Sequence, residues 1–149
     1  MGFMNAWSLN TPGEVHVSFS GHRTACGESV YESTGFNDSK AGDITCFLCG
    51  GMLVFDVDTA RKAAVEFVRT HPGAREWGNE DVYPFAHRIA ERVAGVAWHV
   101  KREHGSWNTN HVFSEFMAQG GWMTDSSPEA RLIGSTAQAV LEVLTESNE

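Results

Sequence analysis

The sequence is poor in cysteine, in positive charge and in long apolar runs, and each shortage excludes a class of protein. Three cysteines are an odd and small number, which argues against a disulfide framework and favours a reducing, cytoplasmic location. Eleven Lys and Arg against nineteen Asp and Glu give a net charge of −8, which opposes non-specific binding to nucleic acid. No run approaches the roughly 18 apolar residues of a membrane span, and no charged start followed by an apolar stretch predicts a signal peptide.

The length of 149 residues suits one ordinary domain, or a small metal-binding module joined to a helical one. The apolar content of 42% is sufficient for a packed core. We predict an α+β chain with a zinc-ribbon-like β module over residues 1–57 and a four-helix region over residues 58–149. The helical region is expected to pack against the β module, as a second unit or within one compact domain.

All three cysteines lie in one stretch of the first third of the chain. Cys46 and Cys49 form a C-x-x-C pair, and Cys26 lies twenty residues before Cys46. Each of the two cysteine turns is followed by glycine, which allows backbone N–H groups to point at sulfur. Two thiolates on a tight turn are typical of a tetrahedral metal corner. The pattern therefore predicts a structural Zn²⁺ site with three cysteine ligands and one histidine.

Two histidines, His16 and His22, are candidates for the fourth ligand. The residues around them alternate as in a β-hairpin with Ser20-Gly21 as its turn. In that hairpin His16 lies across from Ala25 and close to Cys26. His22 would lie one strand length from Cys26, on the order of 13 Å at about 3.3 Å per residue. Reach therefore favours His16, with His22 kept as the alternative.

The V-H-V, R-T-A-C-G and I-T-C-F-L-C segments of this stretch resemble those of small zinc-binding proteins of actinobacteria and their phages. The resemblance covers residues 14–52. It implies that His16, Cys26, Cys46 and Cys49 bind the metal, and it says little about function because that group is mostly uncharacterised. The helical remainder resembles no family that we can name.

The β module is expected to be completed by short strands around the two cysteine turns. Residues 28–43 are rich in turn formers and predict a loop, with Ser29–Tyr31 as an optional short strand. Met52–Val57 is rich in β-formers and predicts a closing strand. The N-terminal segment before Pro12 is apolar for a free tail and is expected to pack on the body of the protein.

The second half has helical periodicity. The predicted helices are Thr59–Thr70, about Glu80–His104, Asn110–Gln119 and a last helix beginning at Pro128. The predicted N-caps are Asp58 for the first, Thr109 for the third, and Ser126 or Ser127 for the last. Pro84 is acceptable only in the first turn of the long helix. The tryptophans of this half are expected to fill gaps between helices rather than to form a binding patch.

Two further readings remain open beside the structural zinc site. Glu28 follows Cys26 at the offset that zinc deaminases use for their proton shuttle, so a zinc-dependent deaminase or hydrolase is one alternative. A DNA-binding zinc protein is the other, although the acidity of the chain weighs against it. His87, His99, His104 and His111 lack the spacing of a helical zinc pair and are expected to be surface or half-buried histidines.

The leading prediction is a zinc-stabilised, non-enzymatic protein-interaction or regulatory protein of phage or actinobacterial origin. The acidic charge suits a protein partner with a basic surface. A nucleic-acid partner is disfavoured, and no membrane partner is expected.

Overall fold

The computed structural model describes residues 2–120 and 127–147 and has an α+β fold. Its three strands are β1 Met4–Trp7, β2 His16–Ser18 and β3 Glu32–Ser33. The five helices of the described residues are α1 Phe47–Val54, α2 Val57–Thr70, α3 Asn79–His104, α4 Thr109–Gly120 and α5 Pro128–Ser147. The prediction of an α+β chain is confirmed, and the predicted helix number was one too low because α1 was missed.

The three strands form one antiparallel sheet in the order β2-β1-β3. Asn5 pairs with Val17 on one side of β1, and Ala6 pairs with Ser33 on the other. The apolar N-terminal segment is therefore the central strand of the sheet, where Ala6 and Val17 are fully buried. Nothing in its own sequence names its two partners, because strand pairing is set by residues distant along the chain.

Helix α3 is the centre of the helical part, and α1, α2, α4 and α5 all contact it. Its middle segment, residues 93–98, is buried on every side. A helix that is apolar all round belongs in a core. Trp98 is buried there, and Trp77 and Trp107 pack against the same core while half-buried. This confirms that these three tryptophans serve in packing; Trp122 lies outside the described residues.

The prediction of a closing strand over Met52–Val57 is wrong, because helix α1 occupies its first part. Met52–Val54 end α1, and Val57 begins α2. The reason is close packing against α3, which overrides the local β preference of these residues. A Cβ on Gly50 would lie 2.2 Å from the Trp98 ring, and one on Gly51 would lie 2.7 Å from α3 backbone atoms.

The same contact is made from the other side by Gly95 of α3. A Cβ on Gly95 would lie 2.8 Å from the carbonyl oxygen of Phe47 in α1. The two helices thus approach backbone to backbone, at positions where only glycine fits. The second cysteine turn consequently opens a helix, so this part of the chain departs from a ribbon built from strands alone.

Most predicted helix bounds lie close to the observed ones, but two predicted N-caps are wrong. Asp56, not Asp58, caps α2, because its side chain accepts a hydrogen bond from the Thr59 N–H at 3.1 Å. Asn108, not Thr109, accepts from the His111 N–H at the start of α4, at 2.8 Å. In both cases the accepting oxygen lies three residues before the donating N–H, the geometry of an N-cap.

The start of α5 agrees with one of its two predicted caps. Ser127 Oγ accepts from the Ala130 N–H at 3.2 Å, and Pro128 occupies the first position of the helix. The alternative cap, Ser126, lies outside the described residues. Pro84 lies in the second turn of α3 rather than in the first. Because Pro84 is exposed, the carbonyl that loses its N–H donor can bond to water instead.

A single hydrophobic core includes residues from both predicted parts of the chain, from Val17 and Ile44 to Leu141 and Leu144. The core therefore crosses the predicted boundary at residue 57. Within the described ranges, no helix is long and apolar enough to cross a membrane.

Candidate metal centre

His16 opens strand β2, and its side chain is fully buried. The hairpin that follows brings the chain back beside it: Ser18 forms a bridge with Thr24, and the Ala25 N–H donates to the Val17 carbonyl at 2.7 Å. The predicted pairing placed His16 across from Ala25, and hence Ser18 across from Arg23, so the observed register is shifted by one residue. The shift comes from a longer turn, in which Gly21 adopts a φ of +84°.

Cys26 lies in a tight loop that Thr24 and Glu28 close. The Thr24 N–H donates to the Glu28 carbonyl, and the Glu28 N–H donates to Thr24 Oγ1, both at 2.8 Å. Gly27 takes a φ of +100°, a conformation that L side chains rarely adopt. Since Thr24 Oγ1 already accepts from Glu28, its own hydrogen is free to point at the Cys26 Sγ, 3.2 Å away.

Cys46 and Cys49 are the N-cap and the third residue of α1, so both sulfurs lie at the positive end of that helix. The Val15 carbonyl accepts from the N–H groups of Thr45 and Cys46, at 3.0 and 3.2 Å, which ties the start of α1 to the start of β2. Arg102 of α3 donates to the carbonyls of Ile44 and Gly42. The segment before Cys46 is thus held between the sheet and the long helix.

The structure brings the four candidate ligands His16, Cys26, Cys46 and Cys49 together. One ligand atom from each lies within 4.8 Å of all the others, and the group could hold a metal ion. His16 Nδ1 lies 3.4 Å from the Cys26 Sγ and 3.5 Å from the Cys49 Sγ, and the sulfurs of Cys26 and Cys46 are 3.9 Å apart. All three cysteines are free thiols, and Cys26 is the most exposed of them.

Two further side chains, Thr11 and Glu28, contact the outer edge of His16. Thr11 Oγ1 lies 2.7 Å from His16 Nε2 and 3.1 Å from the nearer Glu28 oxygen. The second Glu28 oxygen lies 3.5 Å from His16 Nε2 and 3.7 Å from the Cys26 Sγ. Both nitrogens of the buried imidazole therefore have partners, sulfur on one side and oxygen on the other.

The three sulfurs lie close enough together to shift one another's pKa. Hydrogen bonds from Cys46 and, to a smaller extent, from Cys49 lower the pKa of Cys26 far below its usual value. The hydrogen bond with Cys26 raises the pKa of Cys46 to about 11. Hydrogen bonds with Cys26 and, to a smaller extent, with Cys46 raise the pKa of Cys49 above that of Cys46. Three negative charges at such short separations would repel one another. A bound cation would offset this repulsion by stabilising all three negative charges together.

The other histidines lie apart from this group. His22 is exposed in the hairpin turn and is not among the clustered side chains. His99 stacks on Phe47 with ring centroids 4.3 Å apart, and His104 lies beside His111 at 5.0 Å. Within the ranges that the structure describes, the cluster around His16 is the one group of three or more potential metal ligands.

From the sequence, Glu28 was a candidate only for the catalytic alternative, and Thr11 was not a candidate for the site. The separation of 17 residues between Thr11 and Glu28 gives no local pattern that would link them. The one available signal was that Thr11 begins a Thr-Pro-Gly turn shortly before His16.

Comparison of the chain with protein families, with curated proteins and with solved structures finds no match. The resemblance to actinobacterial and phage zinc-binding proteins therefore stays a prediction from the sequence motifs.

Proposed function

We propose that this chain is a zinc-stabilised, non-enzymatic protein that acts by binding another protein. The observation that carries the zinc assignment is the spacing of the four ligand atoms. A tetrahedral Zn²⁺ with Zn–S bonds of about 2.3 Å and Zn–N bonds of about 2.0 Å requires S···S separations of about 3.8 Å and S···N separations of about 3.5 Å. The separation of 3.9 Å between the Cys26 and Cys46 sulfurs fits the first value, and those of 3.4 and 3.5 Å from His16 Nδ1 to the Cys26 and Cys49 sulfurs fit the second. All four ligand atoms lie within 4.8 Å of one another.

The chemistry of the ligand set supports a structural role. Three thiolates and one imidazole form a ligand set typical of closed zinc sites, whereas catalytic sites keep one position for water. His16 and Cys49 are fully buried, which leaves little room for a substrate on their side. Glu28 is the residue on which a deaminase or hydrolase would depend, and its carboxylate contacts Thr11 and the outer nitrogen of His16.

Metal analysis of the purified protein tests the zinc assignment. We expect one zinc per chain and an X-ray absorption spectrum with three sulfur neighbours and one nitrogen. A metal-free protein with reduced thiols and an intact fold would refute the proposal.

Replacement of the zinc by Co²⁺ separates the structural role from the catalytic one. A closed site should keep its visible spectrum when azide is added, because no coordination position is open to the anion. A spectral change on azide addition would favour the hydrolase alternative, in which Glu28 is the candidate catalytic residue.

The interaction role is supported by exposed apolar side chains on an acidic chain. Leu9 and Tyr31 are 70% and 66% exposed and line one shallow hollow beside the sheet. Exposed apolar residues that lie together mark interaction sites more often than residues scattered singly. The net charge of −8 favours a partner with a basic surface. Binding of such a partner should weaken as salt is added, and a chain that instead bound DNA or heparin would support the DNA-binding alternative.

A further inference from the structure

The imidazole of His16 is buried, and its two nitrogens face different chemistry. Nδ1 faces the sulfurs of Cys26 and Cys49, at 3.4 and 3.5 Å. Nε2 faces the Thr11 hydroxyl at 2.7 Å and the Glu28 carboxylate at 3.5 Å. A neutral imidazole carries its proton on one nitrogen only, so the partners decide which nitrogen is left to bind a metal.

The direction of the hydrogen bonds follows from what each group can donate. An ionised carboxylate only accepts, so the single hydrogen of the Thr11 hydroxyl points at Glu28 Oε1, 3.1 Å away. The lone pair of the same hydroxyl then accepts from His16, which requires a proton on Nε2. Nδ1 is consequently unprotonated, and its lone pair points at the sulfur cluster.

Two separate loops hold this pair in place. Thr11 lies in a turn in which its N–H donates to the Ser8 carbonyl and its carbonyl accepts from the Glu14 N–H, at 3.3 and 3.2 Å. The backbone of Glu28 is fixed by Thr24: its carbonyl accepts from the Thr24 N–H, and its N–H donates to Thr24 Oγ1. The carboxylate is mostly buried, with 20% of its side chain exposed. Both residues are therefore held beside His16 by hydrogen bonds of their own loops.

We infer that Thr11 and Glu28 are positioning residues, a hydroxyl–carboxylate relay that fixes His16 as a ligand through Nδ1. This inference rests on the proposed zinc site and goes beyond it, because it assigns the binding nitrogen and gives Glu28 a role that is not catalytic. Outer partners of this kind orient a ligating histidine and raise its basicity, and their loss typically lowers metal affinity about ten- to hundredfold.

The first test reads the tautomer directly in the zinc-loaded wild-type protein. A long-range ¹H–¹⁵N NMR spectrum distinguishes a metal-bound ring nitrogen from a protonated one. We expect His16 to show a metal-bound Nδ1 and a protonated Nε2. Zinc bound through Nε2 would overturn the inference while leaving the zinc site intact, whereas a wild-type chain that binds no zinc would refute the proposed function itself.

The second test measures zinc affinity by competition with a chelator in Thr11→Val. Valine keeps the branched shape of threonine and removes the hydroxyl. We expect an affinity about ten- to hundredfold lower than that of the wild type. Thr70→Val is the matched control, since Thr70 is exposed at the end of α2 and its hydroxyl donates to the Phe67 carbonyl. Equal affinity in the two variants would overturn the inference.

Glu28 variants test whether the carboxylate acts on His16 through its contact with Thr11. Glu28→Gln keeps an oxygen that can accept from Thr11, so its zinc affinity should fall less than that of Glu28→Ala. An equal loss of zinc affinity in Glu28→Gln and Glu28→Ala would contradict the relay. If Thr11→Val does not fold, the wild-type NMR spectrum decides the question alone.

Discussion

The contact between α1 and α3 predicts a large effect from a very small substitution, Gly51→Ala. The added Cβ would lie 2.7 Å from the Ala94 carbonyl carbon and 2.7 Å from the Gly95 nitrogen. Both are backbone atoms of a long buried helix, so neither can rotate away as a flexible side chain would. Inserting a methyl group into a packed core typically costs about 1–3 kcal/mol, and contacts this short place Gly51→Ala at the upper end.

A matched control for this substitution is Gly134→Ala. Gly134 is also buried within a helix, but its added Cβ would lie 3.5 Å from the end of Met117 and 3.6 Å from Phe113, which is ordinary contact. Both variants gain the same helix propensity, about 1 kcal/mol over glycine. The difference between them therefore isolates the steric cost, which we expect to be about 3 kcal/mol.

Thermal unfolding of the two zinc-loaded variants provides the assay. At about 2–4 °C per kcal/mol for a chain of this size, the midpoint of Gly51→Ala should lie about 6–12 °C below that of Gly134→Ala. Gly95→Ala should behave like Gly51→Ala, because its Cβ would meet the Phe47 carbonyl. Equal midpoints for Gly51→Ala and Gly134→Ala would show that the two helices do not approach as closely as described.

Further predictions concern the metal and the helix caps. Removal of zinc by a chelator should lower the unfolding midpoint, since an ion at 100 times its dissociation constant contributes about 2.7 kcal/mol; an unchanged midpoint would contradict a structural site. Cys46→Ser should abolish stoichiometric zinc binding, and His22→Ala should leave it unchanged; loss of zinc in His22→Ala would restore that histidine as a ligand. Hydrogen bonds from the Thr59 hydroxyl and, to a smaller extent, from the Thr59 N–H lower the pKa of Asp56 below 3.8. The stability that Asp56 confers is therefore complete above pH 3.8 and is lost as the pH falls through the lowered pKa. Asp56→Asn keeps the cap without this titration, and the stability difference between wild type and variant should shrink in acid; a difference that does not change with pH would contradict the assignment.

The parts of the fold that follow from local patterns were predictable from the sequence. Helix α3 has a long apolar periodicity, and its observed range, Asn79–His104, differs from the predicted one by a single residue at its start. The preference for His16 over His22 came from strand geometry, and His16 is the histidine that lies among the cysteines. A one-residue error in the hairpin register did not affect this choice, because both registers place His16 near Cys26.

The parts that failed depend on contacts between distant segments. Two consecutive glycines predict the end of a helix when read alone, yet Gly50 and Gly51 lie inside α1 because Trp98 and the α3 backbone occupy the space beside them. Thr11 gave no sign of its contact with His16, since that contact depends on how the turn before β2 folds back. Tertiary packing decided these cases, and a single sequence does not display it.

The position of Trp98 against Gly50 has a practical consequence for spectroscopy. The indole ring lies over the residue that directly follows Cys49. We therefore expect an open-shell ion such as Co²⁺, bound by the cluster, to quench the fluorescence of this indole. The chain therefore carries its own optical reporter, and the arrival of such an ion can be followed as a loss of emission without any attached dye.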